Sequence, residues 1–92
     1  MPNTLVIHPD DSVGVALHDL PAGVHIEPTA KHVQPLVTLE PIPFGHKVAL
    51  VPISHGEQIF KYGASIGVAE GDIAPGAHVH VHNLKSVRGA AQ

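Results

Sequence analysis

The sequence contains no cysteine, which excludes a disulfide framework and thiolate chemistry. Aromatic residues are also scarce, since Phe44, Phe60 and Tyr62 are the full set, so a core must be built from aliphatic side chains. No apolar run approaches the roughly 20 residues of a membrane-spanning helix, and no early segment resembles a signal peptide. From these absences we expect a soluble cytoplasmic protein that does not bind a membrane.

Basic residues are few and scattered, and the formal net charge is −3 with histidine neutral. Without a Lys/Arg patch or aromatic residues to stack on bases, nucleic acid is not an expected partner. Histidine is abundant instead, with nine residues, so full protonation would change the formal charge from −3 to +6 (−3 + 9). Surface electrostatics should therefore depend strongly on pH between about 5 and 8.

Nine glycines and nine prolines divide the 92 residues into short apolar runs. This pattern is typical of a small, mostly β domain with many turns and little helix. We predict one domain over residues 1–84 and a C-terminal tail over 85–92. Strands are expected at 4–8, 13–16, 25–26, 37–39, 47–51, 58–61, 65–69 and 78–82. For residues 13–20, one or two helical turns between Ser12 as N-cap and Gly23 as stop are an equal alternative.

A weak internal repeat links residues 20–26 with residues 73–79. Both segments contain an apolar residue, a Pro/Ala pair, a glycine and then an alternating run. The repeat indicates either duplicated β-turn-β units or the same type of turn occurring twice without duplication.

Three histidines alternate with apolar residues in the run from Ala77 to His82. In a strand, His78, His80 and His82 would share one face, with the apolar residues on the core side. The Cα atoms of His80 and His82 would lie about 6.6–7 Å apart, and those of His78 and His82 about 13 Å, too far for all three to bind one ion. Imidazole binds metals and carries protons near neutral pH, so the row predicts a site. The alternative is a solvent-exposed polar edge strand.

Three motifs occur in a characteristic order: Gly-His-Lys-Val-Ala-Leu at 45–50, Lys-Tyr-Gly-x-x-Ile-Gly at 61–67 and His-x-His-Asn at 80–83. Together they resemble the SAF domain of the altronate and galactarate dehydratase family, and the resemblance covers nearly the whole chain. Ala77-His78 stands where altronate dehydratases usually carry Glu-Trp. In this respect the chain is more similar to the stand-alone small subunit of sulfolactate sulfo-lyase.

The resemblance implies a β-clip fold and the small subunit of a two-part lyase. The reaction would be β-elimination of water or sulfite from a 2-hydroxy acid, such as a sugar acid or sulfolactate. A large catalytic subunit would carry most of the machinery, so the chain alone is expected to be inactive. A divalent metal ion (Fe²⁺, Mn²⁺ or Mg²⁺) is expected, held mainly by that partner, because the charged intermediate needs cationic stabilisation.

The expected site residues follow from these motifs. His46, His80 and His82 are the candidate catalytic residues, as proton-transfer groups, and His80 and His82 are also candidate metal ligands. Asn83, Lys47 and Lys61 are the candidate substrate-binding residues, the lysines as partners of a carboxylate. The competing hypothesis is a non-catalytic carbohydrate-binding or structural SAF module.

Overall fold

The computed structural model describes residues 1–86, which form seven short β-strands and no helix. The predicted mostly β class is confirmed, and residues 13–16 are a strand rather than a helix. No helix in this part of the chain is long and apolar enough to cross a membrane. The strands are β1 (Thr4–Leu5), β2 (Val13–Ala16), β3 (Lys47–Ala49), β4 (Gln58–Lys61), β5 (Ala64–Ala69), β6 (His78–Val79) and β7 (Leu84–Ser86).

The strands form two antiparallel sheets, ordered β1-β2-β3-β6 and β4-β5-β7. Strand β3 lies between β2 and β6, and pairs Lys47 with Val79 and Val48 with His78. The two sheets meet at Ser12, whose N–H donates to the carbonyl of Phe60 and whose hydroxyl accepts from the N–H of the same residue. The start of β2 in the first sheet is therefore fixed to the β4–β5 hairpin of the second.

A seven-residue turn unit occurs four times among the described residues. Each unit has a buried aliphatic residue at both ends and a central glycine with φ between +80° and +90°, a conformation that costs an L side chain about 1–2 kcal/mol. The units pair, because Leu20 bridges Ile42 and Ile53 bridges Ile73. The repeat predicted at 20–26 and 73–79 is thus part of a larger set: Leu20–Ile26, Ile42–Val48, Ile53–Ile59 and Ile73–Val79.

The end residues of these turn units fill two core clusters, one for each pair of units. Strand β3 joins the clusters, because Val48 packs into the first and Ala49 into the second. Every member is at most 6% exposed. The first core cluster comprises Ala16, Leu20, Ile26, Ile42 and Val48; the second comprises Val13, Ala49, Ile53, Ile59, Ala69, Ile73 and Val79.

Several predicted strands are shorter than expected. The strands predicted at 4–8 and 47–51 end at Leu5 and Ala49, and those at 25–26 and 37–39 form only the isolated bridge His25–Val37. Prolines lie close on both sides of that bridge, and proline has no N–H to extend a ladder.

The strand predicted at 78–82 is wrong beyond Val79. The chain turns there, because the N–H groups of Asn83 and Leu84 both donate to the carbonyl of His80. Val81 is consequently 74% exposed rather than on the core side. The turn leads into β7, which was not predicted and which crosses the expected domain boundary at residue 84; residues 87–92 of the expected tail lie outside the described residues.

Candidate functional site

The pairing of β3 with β6 brings three histidine rings together. Because Val48 pairs with His78 in antiparallel register, His46 lies opposite His80 just beyond the ladder. The rings of His46 and His80 stack with centroids 4.4 Å apart, and Nδ1 of His46 lies 2.8 Å from Nε2 of His78, which is hydrogen-bonding distance. Two sequence motifs more than 30 residues apart thus contribute to one site.

The turn after β6 adds a fourth ring. His82 lies beside His78, with ring centroids 5.3 Å apart. The separation expected for these two residues assumed an extended strand up to His82, whereas the turn after Val79 brings their rings together. We refer to His46, His78, His80 and His82 as the histidine cluster.

Side chains from two other segments hold the backbone of His78. Its N–H donates to the Glu40 carboxylate at 3.0 Å, and its carbonyl accepts from Nδ2 of Asn83 at 2.9 Å. Asn83 was predicted to bind substrate, but its NH₂ group stabilises the turn after β6. Its Oδ1 is buried, as is Nδ1 of His80, and neither atom has a hydrogen-bond partner among the described residues.

The surroundings favour the neutral form of two rings in the histidine cluster, those of His78 and His80. Burial lowers the pKa of His78, and the nearby charges of His46, His82 and His80 lower it further, against an opposing effect of Glu40. The pKa of His80 is also lowered, first by desolvation and then by the charges of His46, Lys47 and His82. A neutral imidazole has one free lone pair, so the cluster has acceptors for a proton near pH 7.

Lys47 lies beside the histidine cluster, since it directly follows His46 and its charge acts on His80, and Lys61 lies near Lys47. Burial and the charge of Lys61 lower the pKa of Lys47, and Lys61 places its Nζ 5.0 Å from the ring centroid of Tyr62. Neither lysine forms an ion pair with a carboxylate within residues 1–86. A carboxylate anion reaching this surface would therefore find two cations without a competing internal partner.

The described residues do not form a complete metal site. Within residues 1–86, no group of three or more His, Asp or Glu side chains is arranged to hold a metal ion. In the histidine cluster, one nitrogen of His46 and one of His78 point at each other instead of at a common centre. The divalent metal ion, with His80 and His82 as ligands, stays a prediction that would need further ligands from another chain.

Sequence reasoning assigned His46, His80 and His82 to the site, and the structure brings these three residues together. It missed His78 as a functional candidate and Glu40 altogether. The alternating histidine pattern contained a signal for His78, but its contact with His46 depends on the β3–β6 register. That register is a long-range property, so the sequence pattern alone does not reveal the contact.

This all-β domain, with its paired glycine turns and its histidine cluster, belongs to a family of SAF domains. The family is the altronate/galactarate dehydratase SAF domain, which matches residues 2–87, so the predicted resemblance is confirmed. The chain is 41% identical over 80 residues to the altronate dehydratase of Escherichia coli (strain K12), which is 87% of this chain and 16% of that protein. It is 37% identical over 86 residues to the altronate dehydratase of Bacillus subtilis (strain 168), which is 94% of this chain and 17% of that protein.

A second type of relative is much shorter. The (2R)-sulfolactate sulfo-lyase subunit alpha of Paracoccus pantotrophus is 49% identical over 47 residues, which is 51% of this chain and 70% of that protein. The chain therefore spans about one sixth of the length of the altronate dehydratases. The match to the sulfo-lyase subunit, in contrast, covers 70% of that protein. These relatives support a SAF module associated with lyases.

Proposed function

We propose that this chain is the small component of a two-part lyase that eliminates water or sulfite from a 2-hydroxy acid. The observation that carries the proposal is the histidine cluster beside Lys47, with Lys61 near Lys47 and neither lysine paired with a carboxylate within residues 1–86. Its relatives include dehydratases and a sulfo-lyase subunit, which supports the reaction class.

The arrangement suits β-elimination next to a carboxylate. A base takes the proton from the carbon α to the carboxylate, the C–H electron pair forms a C=C bond, and water or sulfite leaves from the β carbon. The resulting enol becomes a 2-keto acid. We assign proton transfer to His46, His80 and His82, since neutral imidazoles serve as bases and imidazolium as acid. We assign the substrate carboxylate to Lys47 and Lys61.

We further propose a large catalytic subunit as partner in a hetero-oligomer. The chain corresponds to about one sixth of the altronate dehydratases, and its sulfo-lyase relative is itself named a subunit. Any divalent metal ion would take its remaining ligands from that partner. Asn83 reaches substrate only if its Oδ1 becomes accessible in the assembly. A cytoplasmic location and a role in sugar-acid metabolism are part of the same proposal.

The test is reconstitution with a large-subunit homologue of the altronate dehydratase catalytic region. The isolated chain and the complex are assayed with altronate, galactarate and sulfolactate for formation of 2-keto acid and sulfite. We expect no turnover by the chain alone and turnover of one substrate class by the complex. Turnover by the isolated chain contradicts the two-part mechanism, and an inactive complex with all three acids favours the non-catalytic binding module.

Variants then test the site within the active complex. His80→Ala and His82→Ala should lower activity by at least about 10²-fold, which is the usual size of a lost acid–base contribution. His18→Ala is the matched control, since His18 is exposed and its ring contacts the carbonyl of Asp19 and not a ring of the histidine cluster, and it should retain full activity. Wild-type activity in both cluster variants would show that the histidines form only a polar surface.

A further inference from the structure

The hydrogen bond between His46 and His78 links a predicted catalytic ring to a residue that the sequence did not assign. We propose that His78 is a positioning residue, which holds the His46 ring in one orientation and one tautomer with Nε2 as its reacting nitrogen. The assignment of His46 as the reacting ring rests on the proposed function; the positioning itself rests on the geometry.

A hydrogen bond between two imidazole nitrogens needs one N–H donor and one lone-pair acceptor. The 2.8 Å contact occupies Nδ1 of His46, so the state of Nδ1 determines the tautomer and hence the state of Nε2. Nε2 of His46 has no hydrogen-bond partner among residues 1–86. It is therefore the nitrogen of this ring that can exchange a proton with another molecule.

Other rings in contact with His46 do not constrain it in this way. His80 stacks on His46 with an interplanar angle of 26°, and its own Nδ1 is buried without a partner. Stacking restrains the plane of a ring but does not distinguish its two nitrogens. Among the described contacts of His46, the hydrogen bond to His78 alone makes that distinction.

His78 is itself well held, as a positioning residue must be. Its backbone pairs with Val48 in the ladder, and its N–H and carbonyl are hydrogen-bonded by Glu40 and Asn83. Its ring lies between those of His46 and His82. Three separate segments of the chain thus fix the backbone of His78, and the neighbouring rings restrain the imidazole that orients His46.

The primary test is ¹⁵N NMR of the histidine side chains in the full chain, which reports ring tautomers directly and does not depend on enzymatic activity. At pH 7.5 we expect one dominant tautomer for His46 in the wild type. His78→Phe keeps an aromatic ring but removes its nitrogens, so His46 should populate both tautomers. His78→Gln supplies an amide that can donate to or accept from Nδ1, so it is compatible with either tautomer and tests ring orientation through kcat, not the tautomer. His18→Phe is the matched control and should leave His46 unchanged.

The second readout uses the active complex with the large subunit. His78→Phe should lower kcat by at least about tenfold with KM within about twofold, since misorientation affects the reacting step more than binding, and His78→Gln should recover most of the loss. A tautomer mixture at His46 in the wild type overturns the proposal even if no variant folds. An unchanged kcat in a folded His78→Phe variant overturns it as well. An inactive wild-type complex refutes the proposed function instead, and the NMR result then decides the positioning role.

Discussion

His78 touches every other member of the histidine cluster, and its charge state therefore affects all of them. Its ring forms a hydrogen bond with His46 and lies near the rings of His80 and His82, and its backbone N–H donates to the Glu40 carboxylate. Burial and three neighbouring imidazoles oppose its protonation, while a single carboxylate favours it. The balance lowers the pKa of His78, so the N–H···N bond to His46 is present at neutral pH and is lost when both rings are charged.

This balance predicts that the domain loses stability in mild acid. A histidine whose pKa is lower in the folded state binds fewer protons than in the unfolded chain, so the free energy of unfolding increases with pH. The stabilisation that comes from these neutral histidines is complete above the ordinary histidine pKa of about 6.5, and it is lost as the pH falls below that value. Urea denaturation at pH 7.5, 6.5 and 5.5 should show the decrease. His78→Gln should reduce the slope and His18→Gln should not; equal slopes in all three proteins would contradict the prediction.

At the scale of structural elements, the repeated turn units explain how residues 1–86 fold without a helix. In each unit a glycine with positive φ reverses the chain, and the flanking aliphatic residues enter a core cluster. Acidic side chains support the paired units, since Asp19 accepts from the N–H of Phe44 and Asp72 from that of His55. The fourth unit ends at Val79 and so places His78 on β6.

The turn glycines should differ in their tolerance of alanine. At Gly23 a Cβ atom would have open space, so Gly23→Ala should cost only the strain of its positive φ, about 1–2 kcal/mol. At Gly76 the Cβ would also lie 2.1 Å from the carbonyl oxygen of Val37, so Gly76→Ala should cost more than about 3 kcal/mol. Thermal or urea denaturation measures both values. Similar costs for the two variants would show that the contact with Val37 relaxes without penalty.

The pairing of β7 with β5 can be tested at one glycine. A Cβ atom on Gly67 would lie 2.3 Å from the carbonyl oxygen of Lys85, although the φ of Gly67 is not positive. Gly67→Ala should therefore displace β7 and expose its amides, while the β4–β5 hairpin persists. Hydrogen exchange by NMR should show faster exchange at Leu84–Ser86 and little change at Ile59. Unchanged protection of β7 would mean that the strands separate locally to accommodate the methyl group.

Elements bounded by clear turn signals were the ones that the sequence predicted well. The strands at 13–16 and 58–61 have the predicted bounds, because alternation and flanking turn residues agree there. The histidine segment has equally regular alternation, yet the hydrogen bonds of the His80 carbonyl and the Asn83 side chain turn it after two strand residues. Periodicity does not encode such a turn, nor does it specify that β6 pairs with β3. The sequence therefore identified His46, His80 and His82 as candidate site residues, but it did not predict the hydrogen bond between His46 and His78.

At the scale of the whole molecule, two core clusters share one connecting strand. Each cluster belongs to one pair of turn units, and in principle each could unfold separately. Strand β3 opposes this separation, because Val48 is buried in one cluster and the adjacent Ala49 in the other. The Ser12–Phe60 hydrogen bonds join the two sheets as well. The histidine cluster lies on the β3–β6 edge, so its geometry depends on both halves.

We therefore predict that the domain unfolds in a single cooperative transition. Ile42→Val and Ile59→Val remove one methylene from the first and second core clusters, respectively, and each should lower the free energy of unfolding by about 0.5–1.5 kcal/mol. Tyr62, the sole tyrosine, directly follows β4 and reports on the half that contains the second cluster, whereas far-UV circular dichroism reports on all strands. In urea titrations the fluorescence and circular dichroism midpoints should coincide within each protein, wild type or variant, as a two-state transition requires. The shared midpoint should be lower in each variant than in the wild type. If Ile42→Val shifted the circular dichroism transition but left the Tyr62 fluorescence transition unchanged, the halves would unfold independently, and β3 would not couple them.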